Sequence, residues 1–236
     1  MRQAQEFKAI FFDFDQTLHD FRKNSFAALG KAFRVASKKY KIKEEDFRRA
    51  YNEVVKGAEA HGFRYNKTSM EYRAERFTRL MEHFHIKDQD LVFEMVDAYS
   101  DAFEKNLELF PEAAPLLKKL KKKYKLYMVT EGPSDGKRKI VDMMDLENYF
   151  NGIFISGEIG KIKSTGELFE HCLGVTGLKP EQILVVGDSY ARDIKGAMKC
   201  KIKAVWFNTD NAPVPKGEEK PWAQISNLKE LEPLLL

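Results

Sequence analysis

The segment Ile10-Phe11-Phe12-Asp13-Phe14-Asp15-Gln16-Thr17-Leu18 decides how the rest of the chain is read. Ala9 to Phe12 is a short, β-prone apolar run, the composition of a strand buried on both faces of a parallel sheet, and it ends abruptly in carboxylates. Side chains two apart on a strand point the same way, so Asp13 and Asp15 should project into one space beyond the strand's carboxyl end. In open α/β sheets that crevice is where ligands bind. A strand followed by a polar turn, with Asp15 or Thr17 capping the next element, explains the same residues without any chemistry.

Working outward, the texture changes at Ser25 and stays changed to about Leu107. Apolar residues recur there at helical spacing: Phe26, Leu29 and Phe33, then Phe47, Tyr51 and Val54, then Phe77, Leu80 and Phe84, then Leu91, Met95 and Tyr99. No proline interrupts them, and about four helices packed as a small bundle are expected. Beyond Phe110-Pro111 helices and strands alternate: helix 112–122, strand 126–129, helix 134–144, strand 153–155, helix 166–173, strand 183–186, helix 192–199 and strand 204–207. A loop with Pro213, Pro215 and Pro221 precedes a last short strand at 223–226. The expected fold is α/β, a Rossmann-like parallel sheet covered on both faces and interrupted by an all-helical insert.

The 236 residues are 43% hydrophobic and 32% charged, an ordinary balance for a globular protein, and 40 basic against 36 acidic residues leave a formal charge of +4. That excess is too mild to indicate a nucleic-acid polymer unless the bases cluster, and they do so once, in KKLKKKYK from Lys118 to Lys125. Leu117 and Leu120 give that run an apolar face, and cations suit a helix carboxyl end, so it reads as a solvated helix terminus. Cys172 and Cys200 are too few for a disulfide framework and fit free thiols in a reducing cytoplasm. The amino-terminal residues lack a signal-peptide pattern, and no stretch approaches the ~20 apolar residues of a membrane span. A cytoplasmic, soluble protein, monomeric or homodimeric, is expected.

Three further strand ends carry polar groups. Val129 runs into Thr130-Glu131-Gly132-Pro133-Ser134, where a hydroxyl and consecutive backbone N–H groups at a helix amino end favour an anion; Thr130 as a plain cap is the alternative. Ile155 runs into SGEIGKIK, which offers Lys161 and Lys163 against phosphate but fails as a P-loop, since Ile162 stands where a hydroxyl is needed. Val186 runs into Gly187-Asp188-Ser189-Tyr190-Ala191-Arg192-Asp193, two more acids, of which Asp193 could be a plain cap. Four carboxylates around one sheet edge repel one another, and a divalent cation relieves that repulsion. Oxygen ligands with no histidine or cysteine nearby favour Mg²⁺ over zinc.

In their order and at these strand ends, DFDQT at Asp13 to Thr17, Thr130, Lys163 and GDSYARD at Gly187 to Asp193 resemble the four motifs of the haloacid dehalogenase-like hydrolase superfamily. The likeness spans the chain, and within the superfamily LYMVTEGPSDGKRK and ISGEIGKIK are similar to the branch that includes pyrimidine 5′-nucleotidases. The resemblance implies an α/β catalytic core from residues 1–20 and 108–236 and a helical cap from 21–107. It implies Asp13 as the nucleophile that accepts a phosphoryl group and Asp15 as the acid that protonates the leaving oxygen and then activates water. Thr130, Glu131, Gly132 and Lys163 would surround the phosphate, Asp13, Asp188 and the Asp15 backbone carbonyl would bind Mg²⁺, and Asp193 would support them.

The carboxylate at Asp15 points to phosphate esters, because dehalogenases and phosphonate-cleaving relatives lack one there. The implied activity is Mg²⁺-dependent hydrolysis of a small phosphorylated metabolite, a nucleoside 5′-monophosphate first. A sugar phosphomutase and a non-catalytic phosphoacceptor domain are the alternatives. Ser164 stands where proline is usual, which leaves Lys161 as a rival of Lys163, and Glu131 stands where asparagine is common, an expected determinant of substrate choice. Cap candidates for specificity are the stretch 61–67, Arg73 and Arg76, while His83 and His85 diverge on a helix and make no metal site.

Overall fold

The computed structural model describes residues 7–59 and 67–236, so six of the seven residues in the specificity stretch 61–67 lie outside the described residues. Strand β1 (Ala9–Phe12) leads into α1 (Phe21–Lys39), α2 (Glu44–Glu59), α3 (Ser69–His83) and α4 (Gln89–Lys105). Next come α5 (Ala113–Leu120), β2 (Lys125–Thr130), α6 (Ser134–Met143), β3 (Gly152–Ile155), α7 (Ser156–Ile159) and α8 (Glu167–Thr176). The last elements are β4 (Ile183–Gly187), α9 (Lys195–Lys199), β5 (Lys203–Phe207), β6 (Ala223–Ile225) and α10 (Glu232–Leu235).

The strands form one parallel sheet in the order β3-β2-β1-β4-β5-β6. Every residue of β1 is fully buried, and the period-two alternation divides its side chains between two cores. Ile10 and Phe12 join a cluster with Leu126, Met128, Leu184 and Val186 that runs on into Leu80 and Phe47 of the insert. Ala9 and Phe11 join Val185, Leu168, Phe169 and Ala197 on the opposite face, under α8 and α9. The chain builds outward from β1 through β2 and β3, then returns to β1's other side for β4. The crossover reverses there, so the crevice of such a sheet opens at the carboxyl ends of β1 and β4.

The insert is the expected four helices, with α1 packed along α4 and α2 against α3. Its entry and exit are fastened together. His19 forms isolated bridges with Asp15 and Leu109, Phe110 N donates to Leu18 O at 2.8 Å, and the buried His19 ring lies 2.8 Å from Glu108 O through Nδ1 and stacks on Phe14. A second tie lies at the amino end of α3, where Ser69 N and Oγ donate to Asp135 of α6 at 2.8 and 2.7 Å. Those contacts satisfy a helix N–H that has no partner of its own and bring the insert against the helix that follows β2.

Two local expectations change. The helix expected at 192–199 begins instead as a wide turn, Tyr190–Ile194, before α9, and α7 and α10 are short helices that the apolar spacing did not mark. The lysine run ends α5 as expected. Lys119 pairs with Glu232 at 2.8 Å, and Lys121 and Lys123 donate to the carbonyls of Asn148 and Leu235. Cys172 and Cys200 are free and buried, and among the described residues no helix is long and apolar enough to cross a membrane. If β1 is the keystone, Phe11→Ala should destabilise the protein by about 3–5 kcal/mol. Phe93→Ala, at a half-exposed position of α4, should stay within about 0.5 kcal/mol. Urea unfolding midpoints at constant slope measure both.

Candidate active site

The backbone at Asp13 still follows the sheet, its N–H donating to Val186 O of β4 at 2.9 Å, so the side chain stands where β1 and β4 open. Both carboxylate oxygens are engaged: Oδ1 accepts from Lys163 Nζ at 2.5 Å and Oδ2 from Thr17 Oγ1 at 3.0 Å. Lys163 is 2% exposed and gives a second bond to Asp193 Oδ1 at 2.6 Å. Burial alone would favour the neutral amine, but the carboxylates of Asp13, Asp193 and Glu131 outweigh it and hold the ammonium charged. Asp193 is fixed from its other side by Ser189 N, 2.9 Å from Oδ2. The fit depends on Gly187, since a Cβ there would overlap Asp193 Cγ.

Asp188, at the end of β4, completes the acidic group: one oxygen each of Asp13, Asp188 and Asp193 lies within 4.8 Å of the others. Burial, with the charges of Asp13 and Asp193, pushes the Asp188 carboxyl up to about 8. Burial moves Asp193 the same way, to about 6, against the pull of Lys163. Asp13 and Asp193 each spend both oxygens on hydrogen bonds, Asp13 on Lys163 and Thr17 and Asp193 on Lys163 and Ser189, so a cation at this group would share the Asp13 oxygens with those donors. An all-oxygen donor set of crowded acids fits a hard divalent ion such as Mg²⁺.

Asp15, expected as a fourth member of the carboxylate cluster, is not one of that group of three: it pairs through Oδ2 with Lys137 Nζ, while its Oδ1 is buried without a hydrogen-bond partner. Thr130, 1% exposed at the end of β2, likewise leaves Oγ1 unpartnered, so it does not cap α6, whose cap position is Pro133. The anion cradle expected from consecutive N–H groups is only partly open, because Gly132 N donates to Ser156 Oγ at 3.0 Å and Gly132 O accepts from Gly157 N at 3.1 Å. Glu131 also has other work: Oε1 accepts from Lys163 N at 2.7 Å, and Oε2 lies 4.0 Å from Arg192 Nη1. The carboxylate thereby ties the loop after β2 to the loop that carries Lys163. Of Lys161 and Lys163, Lys163 is the lysine bonded to Asp13.

Sequence reading missed Lys137, Ser156, Ser189 and Arg192. Lys137 lies within a GKRK run whose other bases, Arg138 and Lys139, pair with Glu158 and Glu104 at the surface, so nothing in the spacing marks it as the buried one. Ser189 was legible in principle, since serine beside a helix start is a capping residue, and its side chain accepts from Arg192 N. In the insert, Arg73 donates to Ser100 Oγ at 2.8 Å and lies over the Tyr99 ring, and Arg76 keeps a buried Nε without a partner. His83 and His85 are exposed and belong to no metal group among the described residues.

The family model described as haloacid dehalogenase-like hydrolase matches residues 7–200. The human N-acylneuraminate-9-phosphatase is 24% identical over 231 residues, covering 97% of this chain and 93% of that one. The pyrimidine 5′-nucleotidase YjjG of Escherichia coli strain K12 is 29% identical over 228 residues, 96% of each chain. Among solved structures, the HAD-hydrolase YfnB of Bacillus subtilis, described as bound to magnesium and as showing interdomain movement, superposes with a TM-score of 0.78 at 25% identity, covering 98% of this chain and 99% of that one.

The raised Asp188 predicts a pH dependence of folding. Between the ordinary carboxyl value of 3.8 and about 8 the folded chain keeps a proton that the unfolded chain has released, so stability falls as pH rises through that window. With chelator present, Asp188→Asn should match wild type near pH 4.5 and exceed its melting temperature by roughly 3 °C at pH 8.5. Thermal unfolding curves that run parallel across this range would contradict the assignment.

Proposed function

The chain belongs to the haloacid dehalogenase-like hydrolases and is an enzyme of their phosphatase type, and from that premise we propose that it hydrolyses the phosphate monoester of a small metabolite through an aspartyl phosphate on Asp13. The observation that carries the reading is the buried Lys163 ammonium 2.5 Å from the Asp13 carboxylate at the sheet's switch point. An ester phosphate there meets a nucleophile, a fixed positive charge and the open hydroxyl of Thr130 in one place.

In the first half-reaction an Asp13 oxygen forms a bond to phosphorus as the bond from phosphorus to the ester oxygen breaks, and the proton carried by Asp15 moves to that oxygen to give the free alcohol. In the second, water attacks phosphorus, its proton passes to Asp15, and the bond from Asp13 to phosphorus breaks to release inorganic phosphate. Splitting the reaction in this way suits a bond whose uncatalysed hydrolysis is among the slowest known. Lys163 and Thr130 steady the phosphoryl oxygens, and Asp193 keeps Lys163 in place. When bound, Mg²⁺ held by Asp13, Asp188 and the Asp15 backbone carbonyl supplies further positive charge against those oxygens. Glu131 acts here as a clamp on the Lys163 loop, and substrate choice falls to the helical segment 21–107 acting as a cap, with Arg73 and Arg76 as its candidates.

The first substrate to test is a nucleoside 5′-monophosphate, and a sugar-acid phosphate is the second. The likeness to a pyrimidine nucleotidase supports the one and the likeness to an N-acylneuraminate-9-phosphatase the other. The reading places the enzyme in the cytoplasm, where two free thiols are stable. Phosphate release from 4-nitrophenyl phosphate should require Mg²⁺ and fall by roughly 10³-fold or more in Asp13→Asn. A panel of metabolite esters run with product analysis separates hydrolysis, which yields inorganic phosphate, from a mutase, which returns an isomeric ester. Wild-type protein that releases phosphate from no ester contradicts the reading. Glu131→Asn should lower kcat/KM on all esters alike, and a changed order of substrates would restore Glu131 as a determinant of choice.

A further inference from the structure

Lys137 is a buried charge in an unfavourable place. It lies in the first turn of α6, where the helix dipole repels a cation, and its side chain is only 8% exposed. Burying an ammonium is costly unless a partner offsets it. Three features accommodate it. The ion pair with Asp15 Oδ2 supplies the opposite charge. The ring of Phe14, whose centroid is 5.5 Å from Nζ, offers a cation–π contact. Gly132, at φ +151°, leaves room for the stem, for a Cβ there would stand 2.7 Å from Lys137 Cε and 3.1 Å from Cγ. The loop after β2 is thus shaped around this lysine.

The consequence falls on Asp15. One of its oxygens is held, and the other, Oδ1, is buried with no hydrogen-bond partner. A buried, unpaired carboxylate oxygen is expensive, and such an atom persists where a reacting group will meet it. We infer that Lys137 is a positioning residue for proton transfer: by fixing Asp15 through Oδ2 it reserves Oδ1 as the oxygen that gives the proton to the leaving group and later takes one from water. Lys137 keeps its own protons throughout, and the carboxylate left after each donation remains paired. This role for Lys137 rests on the phosphatase reading of the site. It adds a residue of α6 to those that act on Asp15.

The test uses leaving groups, because a nitrophenolate departs without a proton and an alkoxide does not. In Lys137→Met, which keeps length but cannot donate, kcat/KM for an alkyl phosphate chosen from the wild-type ester panel should fall roughly 10–100-fold. For 4-nitrophenyl phosphate the fall should be below about threefold, since kcat/KM reports only the steps through release of the alcohol. Asp15→Asn should show the same pattern, and the double variant Lys137→Met with Asp15→Asn should lose little beyond Asp15→Asn alone on the alkyl ester. A merely structural lysine would lower both esters by one factor, and an irrelevant one neither; each result overturns the inference, as does full additivity in the double variant. If Lys137→Met fails to fold, Lys137→Gln carries the same comparison. Wild-type protein inactive on every ester would instead sink the phosphatase reading itself, so the two failures are distinct.

Discussion

The lysine ammonium shared between Asp13 and Asp193 is the interaction on which the catalytic edge depends. Three charges taken out of water are costly unless each meets its opposite at hydrogen-bonding distance, and here the bonds of 2.5 and 2.6 Å meet that condition. The arrangement constrains its neighbours in turn. Gly187 must lack a side chain so that Asp193 can approach, Ser189 must offer its N–H to the second Asp193 oxygen, and Glu131 must hold the Lys163 backbone. Removing Lys163 would leave two buried carboxylates facing each other and Asp188 beside them. The same crowding that makes the site receptive to a divalent cation would then work against folding.

Much of this was legible from periodicity. A fully buried strand ending in acids is what the apolar run predicts, and β1 is one, with Asp13 bonded to Lys163 and Asp15 to Lys137. The alternation of helices and strands gave the parallel sheet, and the run of helical spacing gave the four-helix insert. Strand order was not legible, because alternation does not say on which side of β1 the next strand pairs. The wide turn Tyr190–Ile194 was not legible either, since it is set by the need of Asp193 to reach Lys163 and Ser189 rather than by apolar spacing.

The polar residues divide along the same line. Those whose place follows from a strand end stand at one: Asp13 follows β1 and Asp188 follows β4 in one group of carboxylates, and Thr130 ends β2. Those whose place depends on tertiary burial were not legible. Lys137 belongs to a basic run in which its neighbours are ordinary surface charges, and only the packing of α6 beside Asp15 distinguishes it. Glu131 looked like a reader of substrate because an acid beside a phosphate needs a reason. One of its oxygens accepts from a backbone N–H one loop away, a contact the sequence does not show. The insert matters to the same edge, since Asp135 of α6 also receives the amino end of α3, two residues before Lys137.

The central claim is that Asp13 carries the phosphoryl group in the middle of the reaction. Rapid acid quench of the enzyme during turnover, followed by peptide mass mapping, tests it directly. The account predicts one added phosphoryl group on the peptide containing Asp13, formed and lost at rates that match turnover. Turnover at the normal rate with that peptide unmodified, or with the group on another residue, would contradict it.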